Sequence, residues 1–136
     1  MRRSGPLGHL AAYGTLQFPE ILRALLGRVP DLEPGTIVDH EARRLPGVGF
    51  PGLVAAPGSL VPAHVIVDLS EQEWEALDAY EDDFYALVDV VVLIDGGLEV
   101  PAVAYRVPAS MATSTIWTAD WFATEHLETF LGAISD

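Results

Sequence analysis

The stretch that decides how this fold is interpreted is Ser70-Glu71-Gln72-Glu73-Trp74-Glu75-Ala76-Leu77-Asp78-Ala79-Tyr80-Glu81. Ser70, followed three residues later by Glu73, forms a capping-box pattern, which predicts that a helix begins here. On such a helix Trp74, Leu77 and Glu81 fall at i, i+3 and i+7, so the face that buries the first two also turns the Glu81 carboxyl inward. A buried carboxylate needs a partner or a proton. Glu81 is therefore a candidate acid/base group.

The segments on both sides of this helix predict a mixed α+β domain. Residues 9–13, 36–45 and 61–69 read as strands, and residues 46–58 read mostly as loop because Pro and Gly are frequent there. Residues 18–27 predict a helix with Pro19 at its first position and Gly27 at its end. Residues 84–94 and 100–107 predict an antiparallel hairpin, and the apolar spacing in residues 119–134 predicts one amphipathic helix. Helices that interrupt strands in irregular order favour an α+β fold over a doubly wound parallel sheet.

Length and composition limit the possible function classes. The 136 residues suit one domain, residues 1–136, with its own core. No apolar run approaches membrane-span or signal-peptide length, so we expect a cytoplasmic protein that does not enter a membrane. The net charge of −13 makes nucleic acid a poor partner. The chain contains neither lysine nor cysteine, which excludes a lysine Schiff base and thiolate chemistry. The oligomeric state is left open between a monomer and a homodimer.

Tyr13-Gly14-Thr15-Leu16 lies between a predicted strand and a predicted helix. Consecutive backbone N–H groups in such a turn can face an anion, either a carboxylate or a developing oxyanion. Glycine corners of this kind are common, so the motif alone is weak evidence. The four histidines show no metal-ligand spacing, and serine-hydrolase and phosphate-loop motifs do not occur.

An ordered set of motifs resembles the gamma-glutamylcyclotransferase-like, or avirulence-induced-gene-like, family. The set covers most of the chain and comprises Tyr13-Gly14-Thr15-Leu16, Gly49-Phe50-Pro51-Gly52-Leu53 with Pro57-Gly58-Ser59, Leu77-Asp78-Ala79-Tyr80-Glu81 with Tyr85, and Ala104-Tyr105. The sequence departs from the family pattern after Tyr85, where arginine is usual and Ala86-Leu87-Val88 stands instead. It also has His64 near the middle strand, where glycine is common.

The resemblance implies a compact mixed β-barrel with flanking helices and a cavity for a small γ-glutamyl substrate. It implies that the residues of the glycine turn, Tyr13, Gly14, Thr15 and Leu16, hold the γ-glutamyl group. It further implies that Glu81 is the acid/base of an intramolecular cyclisation that yields 5-oxoproline and a free amine, with no metal and no cofactor. Such a role suits a carboxyl whose pKa is raised by burial.

Several alternatives stay open at this point. Tyr85 and Tyr105 are candidates to line the cavity with their hydroxyls, or they are core residues of their strands. Glu81 itself could be a helix-end acid that turns to solvent, and Asp78 is expected to be structural. The whole protein is expected to be an enzyme, and the alternative is a non-catalytic member of the same fold that binds a small molecule.

Overall fold

The computed structural model describes residues 9–67, 69–81 and 84–135. The strands are β1 (Leu10–Ala12), β2 (Leu32–Arg44), β3 (Pro51–Ile66), β4 (Ala86–Ile94) and β5 (Leu98–Arg106). The α-helices are α1 (Pro19–Leu26), α2 (Glu71–Tyr80), α3 (Ala119–Glu125) and α4 (Leu127–Ser135). One turn of 3-10 helix, Thr15–Gln17, joins β1 to α1.

The strands form a closed barrel in the order β1-β3-β2-β4-β5. Neighbouring strands pair antiparallel, except that β1 and β5 meet in parallel at Leu10 and Val103 and so close the barrel. A second parallel contact joins β3 to β5 at Leu53 and Arg106. The predicted α+β class, the closed barrel and the antiparallel hairpin, β4–β5, are confirmed.

The prediction that residues 46–58 are mostly loop is wrong from Pro51 onward, where β3 begins. Pro51 is the first residue of its strand, and a proline there removes no ladder hydrogen bond. Pro57 lies where the β2–β3 register shifts between Val38 and His40. Beside it, the Gly58 N–H donates to Asp39 Oδ1 at 2.8 Å. A long strand therefore accommodates its turn-forming residues by bulging rather than by ending.

The predicted bounds of α1 and the predicted start of α2 are confirmed. Pro19 opens α1, and Gly27 ends it in the left-handed region at φ 78°. At the start of α2, Ser70 Oγ accepts from the Glu73 N–H at 3.1 Å while the Glu73 carboxylate accepts from the Ser70 N–H at 3.0 Å. These contacts are the predicted capping box.

Two helix predictions need correction. The helix of residues 70–81 ends at Tyr80, and Glu81 caps it in an extended conformation, with φ −76° and ψ 140°. Helical periodicity correctly places Trp74 and Leu77 in the core, and Glu81, whose φ and N–H bond to Leu77 are still helical, lines the cavity described below. The predicted single helix of residues 119–134 is broken at His126, whose ring packs against Trp121 and Phe122.

The helices pack on the barrel around an aromatic cluster. Phe122 of α3 is fully buried, and its ring centroid lies 5.2 Å from that of Phe18 and 5.4 Å from that of Phe130. This cluster fixes α4 beside α1, so that Phe130 stands at the edge of the cavity described below. None of the helices in the described ranges is long and apolar enough to cross a membrane.

Candidate functional site

A cavity opens between the end of the barrel and the helices. It holds about 550 Å³ of empty space when its open mouth is included. All of the residues predicted as catalytic or substrate-binding line it, namely Tyr13, Gly14, Thr15, Leu16, Glu81, Tyr85 and Tyr105.

The turn after β1 forms one wall of the cavity. Gly14 approaches Pro51 so closely that a Cβ at position 14 would lie 2.7 Å from Pro51 Cγ, which explains the glycine. The Gly14 carbonyl accepts from the Gln17 N–H at 3.1 Å. Among the residues that the structure describes, the backbone N–H groups of Gly14, Thr15 and Leu16 meet no acceptor. Three donors at the edge of a cavity form an arrangement that can bind an anion.

Three tyrosines, Tyr13, Tyr85 and Tyr105, also line the cavity and are called here the barrel-side tyrosines. The Tyr13 hydroxyl donates to the Tyr105 carbonyl at 2.6 Å and accepts from the Leu53 N–H at 3.0 Å. The Tyr85 hydroxyl donates to the Pro51 carbonyl. These hydroxyls are therefore used to join strands, and their rings give the cavity an apolar surface.

The third barrel-side tyrosine connects the barrel to α2. The Tyr105 hydroxyl donates to Asp78 Oδ1 at 2.6 Å, a charge-assisted bond. Asp78 does not line the cavity. The expectation that Asp78 is structural agrees with this contact, because the bond holds the helix that ends at Glu81 against β5.

Glu81 is the one carboxylate among the described residues that line the cavity. It is half-buried and not turned wholly to solvent, and its backbone N–H donates to the Leu77 carbonyl at 3.0 Å. Burial raises the pKa of Tyr13 well above its usual value, and the negative charge of Glu81 raises it further. The Leu53 N–H opposes these effects only in part. Tyr13 is thus a neutral phenol, and the field of Glu81 reaches across the cavity.

Several lining residues were not assigned to the site from the sequence. Thr15 Oγ1 and the Tyr80 hydroxyl, called here the helix-side pair, lie 2.9 Å apart, and either can be the donor. The ring centroid of Tyr80 lies 6.1 Å from that of Phe130, which also lines the cavity. Phe50 and Pro51 stood inside the quoted motif and Tyr80 directly precedes Glu81, so their positions offered a signal. The remaining lining residues are Leu10, Ala11 and Ala12 of β1.

His64 lies behind the turn and does not line the cavity. Its Nδ1 lies 2.9 Å from Gln17 Oε1, and Gln17 Nε2 donates to the Tyr13 carbonyl at 2.6 Å. Gln17 was missed by the sequence analysis, because nothing in the local pattern shows that its side chain folds back onto the turn. Within the described ranges, no group of three or more His, Asp or Glu side chains could hold a metal ion.

Comparison with known sequences finds a family model and individual relatives that match this chain. A family model described as "Gamma-glutamyl cyclotransferase, AIG2-like" matches residues 10–123. AIG2-like protein D of Arabidopsis thaliana is 29% identical over 82 residues, which cover 60% of this chain and 54% of that protein. The chain therefore spans about half the length of this curated relative.

Comparison with solved structures supports the same fold. A solution structure of an Arabidopsis thaliana protein has a TM-score of 0.72 at 23% identity, over 96% of this chain and 82% of that one. A structure named gamma-glutamyl cyclotransferase has a TM-score of 0.60 at 14% identity, over 74% of this chain and 66% of that one. At these identities the likeness shows the fold alone.

Proposed function

Because the chain belongs to the gamma-glutamyl cyclotransferase, AIG2-like family, we propose that it is a cofactor-independent enzyme of the gamma-glutamyl cyclotransferase type. Its substrate is a small γ-glutamyl amine or amide, and its products are 5-oxoproline and the free amine. The observation that carries the proposal is the position of Glu81, a carboxylate that shares a mainly apolar cavity with the N–H groups of the Gly14 turn.

The reaction is an intramolecular acyl transfer. The α-amino nitrogen of the substrate attacks its own γ-carbonyl carbon, so that one C–N bond forms and the bond to the leaving nitrogen breaks. Glu81 accepts the proton that the attacking nitrogen loses and delivers it to the leaving nitrogen, which departs as a neutral amine. A positioned acid/base group of this kind contributes about 10²–10⁴-fold to the rate.

The turn acts on the substrate through its backbone. The N–H groups of Gly14, Thr15 and Leu16 stabilise the oxyanion that develops on the γ-carbonyl, or they hold the substrate carboxylate. Because nucleophile and electrophile belong to one molecule, holding the reactive rotamer and excluding water supply a large part of the acceleration. The rings of Tyr85, Tyr105 and Phe130 are suited to both tasks, since they narrow the cavity without adding charge.

The test is release of 5-oxoproline, measured by mass spectrometry with a panel of γ-glutamyl amines and γ-glutamyl amino acids. We expect Glu81→Gln to lower turnover by about 10²–10⁴-fold. Glu75→Gln is the matched control, because Glu75 lies exposed on the same helix. Its turnover should equal that of wild type, and both variants should melt as wild type does.

Two results would contradict the proposal. Full activity in Glu81→Gln would remove the assigned acid/base. Saturable binding of the panel compounds by wild type without any 5-oxoproline would instead support a non-catalytic small-molecule-binding protein of the same fold.

A further inference from the structure

The side chain of Gln17 closes the turn that lines the cavity, although it does not line the cavity itself. Gln17 Nε2 lies 2.6 Å from the Tyr13 carbonyl oxygen and 3.4 Å from the Gly14 carbonyl oxygen. Carbonyl oxygens only accept, so the nitrogen of the Gln17 amide must face them. Its Oε1 consequently faces His64, and the orientation of the amide is determined by its partners.

The same argument fixes the proton on His64. Gln17 Oε1 is an acceptor, so His64 Nδ1, at 2.9 Å, must carry the hydrogen. His64 belongs to β3 and pairs across the ladder with Ala12 of β1, the strand that leads into the turn. The side-chain contact therefore ties the turn to the strand beside it, behind the cavity.

Peptide geometry carries this contact to the cavity. A trans peptide is planar, and its C=O and N–H point in opposite directions. The Tyr13 carbonyl shares a peptide plane with the Gly14 N–H, and the Gly14 carbonyl shares one with the Thr15 N–H. A donor that holds both carbonyls on the Gln17 side therefore turns both N–H groups to the other side, where Gly14 and Thr15 line the cavity.

We propose that Gln17 is a positioning residue for the anion-binding turn and that His64, through its Nδ1–H, sets the orientation of the Gln17 amide. This inference rests on the proposed function, because the turn's N–H groups are taken to act on the substrate. The two side chains work in series: His64 acts only through Gln17, and Gln17 acts only through the peptide planes.

The kinetic test uses substitutions that separate these roles. Gln17→Glu has nearly the same shape and can still accept from His64, but it places a carboxylate oxygen against the Tyr13 carbonyl. We expect it to lower kcat/KM by about 10–100-fold, the scale of a misplaced reacting group. His64→Leu, which removes the donor, should cost about tenfold or less, and His64→Asn, which offers an N–H near the position of Nδ1, should restore most of this loss. Gln72→Leu, at an exposed position on α2, should match wild type.

Coupling distinguishes positioning from general destabilisation. Since His64 acts through Gln17, the double substitution Gln17→Leu with His64→Leu should lower kcat/KM no further than Gln17→Leu alone. If the double variant lost kcat/KM by the product of the two single losses, or if His64→Asn did not restore activity, His64 would not act through Gln17. Wild-type activity in Gln17→Glu would overturn the whole inference.

A spectroscopic readout separates this inference from the proposed function. Nitrogen-15 NMR of the His64 ring at neutral pH should show the tautomer with hydrogen on Nδ1, and Gln17→Leu should move the amide resonances of Gly14 and Thr15 more than that of Leu16. If wild type releases no 5-oxoproline but these signals behave as described and Gln17→Glu weakens binding of γ-glutamyl compounds, the proposed function fails and the positioning role stands. The opposite tautomer, or unmoved amide resonances, would refute the positioning role even in an active enzyme.

Discussion

The two sides of the cavity use their hydroxyl groups differently. The barrel-side tyrosines donate to backbone carbonyls or to the Asp78 carboxylate, so each hydroxyl has a fixed direction. The helix-side pair, Thr15 and Tyr80, instead bonds one hydroxyl to another and joins the turn to the end of α2. Thr15 belongs to the turn, and Tyr80 directly precedes Glu81. Substitutions on the barrel side should therefore lower stability first, and substitutions on the helix side should lower turnover first.

Removal of the Tyr13 hydroxyl is the sharpest stability test of this comparison. Tyr13→Phe would leave a buried N–H, that of Leu53, and a buried carbonyl, that of Tyr105, without the bonds they have now. Each orphaned buried group costs about 1–3 kcal/mol, so we expect the free energy of unfolding to fall by about 2–4 kcal/mol. Urea titration measures this fall.

Tyr80→Phe is the matched substitution on the helix side. It removes the bond between the Tyr80 and Thr15 hydroxyls, and because Thr15 lines the open cavity, water can replace the lost partner. The expected loss is about 1 kcal/mol. Equal losses in the two variants would mean that the two sides do not differ in the way described.

Gly14→Ala tests the close approach between the turn and β3. The added methyl group would meet the rigid Pro51 ring at 2.7 Å, so either the turn or the start of β3 must move. Overpacking of this kind costs about 1–3 kcal/mol, and displacement of the turn N–H groups should lower turnover in addition. Thermal unfolding and 5-oxoproline release together measure both effects.

Gly132→Ala is the control, because Gly132 lies on α4 with open space around its Cα. Alanine is the better helix former by about 1 kcal/mol, so this variant should be at least as stable as wild type and fully active. A Gly14→Ala protein that behaved like the control would show that the turn can yield without consequence.

Alkaline pH tests the buried state of Tyr13 directly. Its pKa is raised in the folded protein, first by burial and then by the charge of Glu81, whereas an unfolded tyrosine ionises near pH 10. Its contribution to stability is therefore complete below about pH 10 and is lost as pH rises through the folded pKa. Above about pH 10 the loss is about 1.4 kcal/mol per pH unit. The absence of lysine and cysteine leaves tyrosine as the main group that titrates in this range.

Tyr13→Phe should remove this part of the alkaline slope, as measured by unfolding between pH 9 and pH 11. An unchanged slope would mean that Tyr13 does not stay neutral in the fold. Tyr13→Phe is also the substitution with the largest expected loss of stability at neutral pH. The urea titration and the pH series therefore test independently that the Tyr13 hydroxyl is buried and hydrogen-bonded.

Local patterns in the sequence predicted the features that depend on local chemistry. The capping box at Ser70, the proline and glycine that bound α1, and the β4–β5 hairpin follow from residues a few positions apart. The motifs shared with the family also predicted which distant residues lie together, because Tyr13, Glu81 and Tyr105 all line the cavity.

What the sequence did not reveal depends on contacts between distant segments. Pro51 starts a strand because its partner, β2, lies opposite, and no local rule shows this. At the helix break, the His126 ring also packs against the distant Gly49, where a Cβ would lie 2.8 Å from His126 Cγ. Gln17 received no role because its partner, His64, is 47 positions away in the chain. Glu81 lies one residue later than the helix end, but its φ and its N–H bond to Leu77 remain helical, so the local pattern predicted its inward direction.

The ion pair between Arg28 and Glu73 lies outside the cavity. We expect its removal to change stability less than any of the substitutions above. Arg28 Nε donates to Glu73 at 2.6 Å and so links the end of α1 to α2, and this bond lowers the pKa of Glu73 to about 2. Because this pKa is lower in the folded protein than in the unfolded chain, ionised Glu73 stabilises the fold at pH values above the unfolded pKa of about 4.5. This contribution is lost as pH falls from 4.5 to about 2.

Because Arg28 is 43% exposed, solvent screening limits the stabilisation to about 1 kcal/mol or less. Arg28→Gln should therefore lower stability slightly at pH 7 and by less at pH 2, with turnover at pH 7 equal to wild type. A larger effect on turnover would mean that the α1–α2 contact, and not only the Tyr105–Asp78 bond, holds the helix that ends at Glu81 in place.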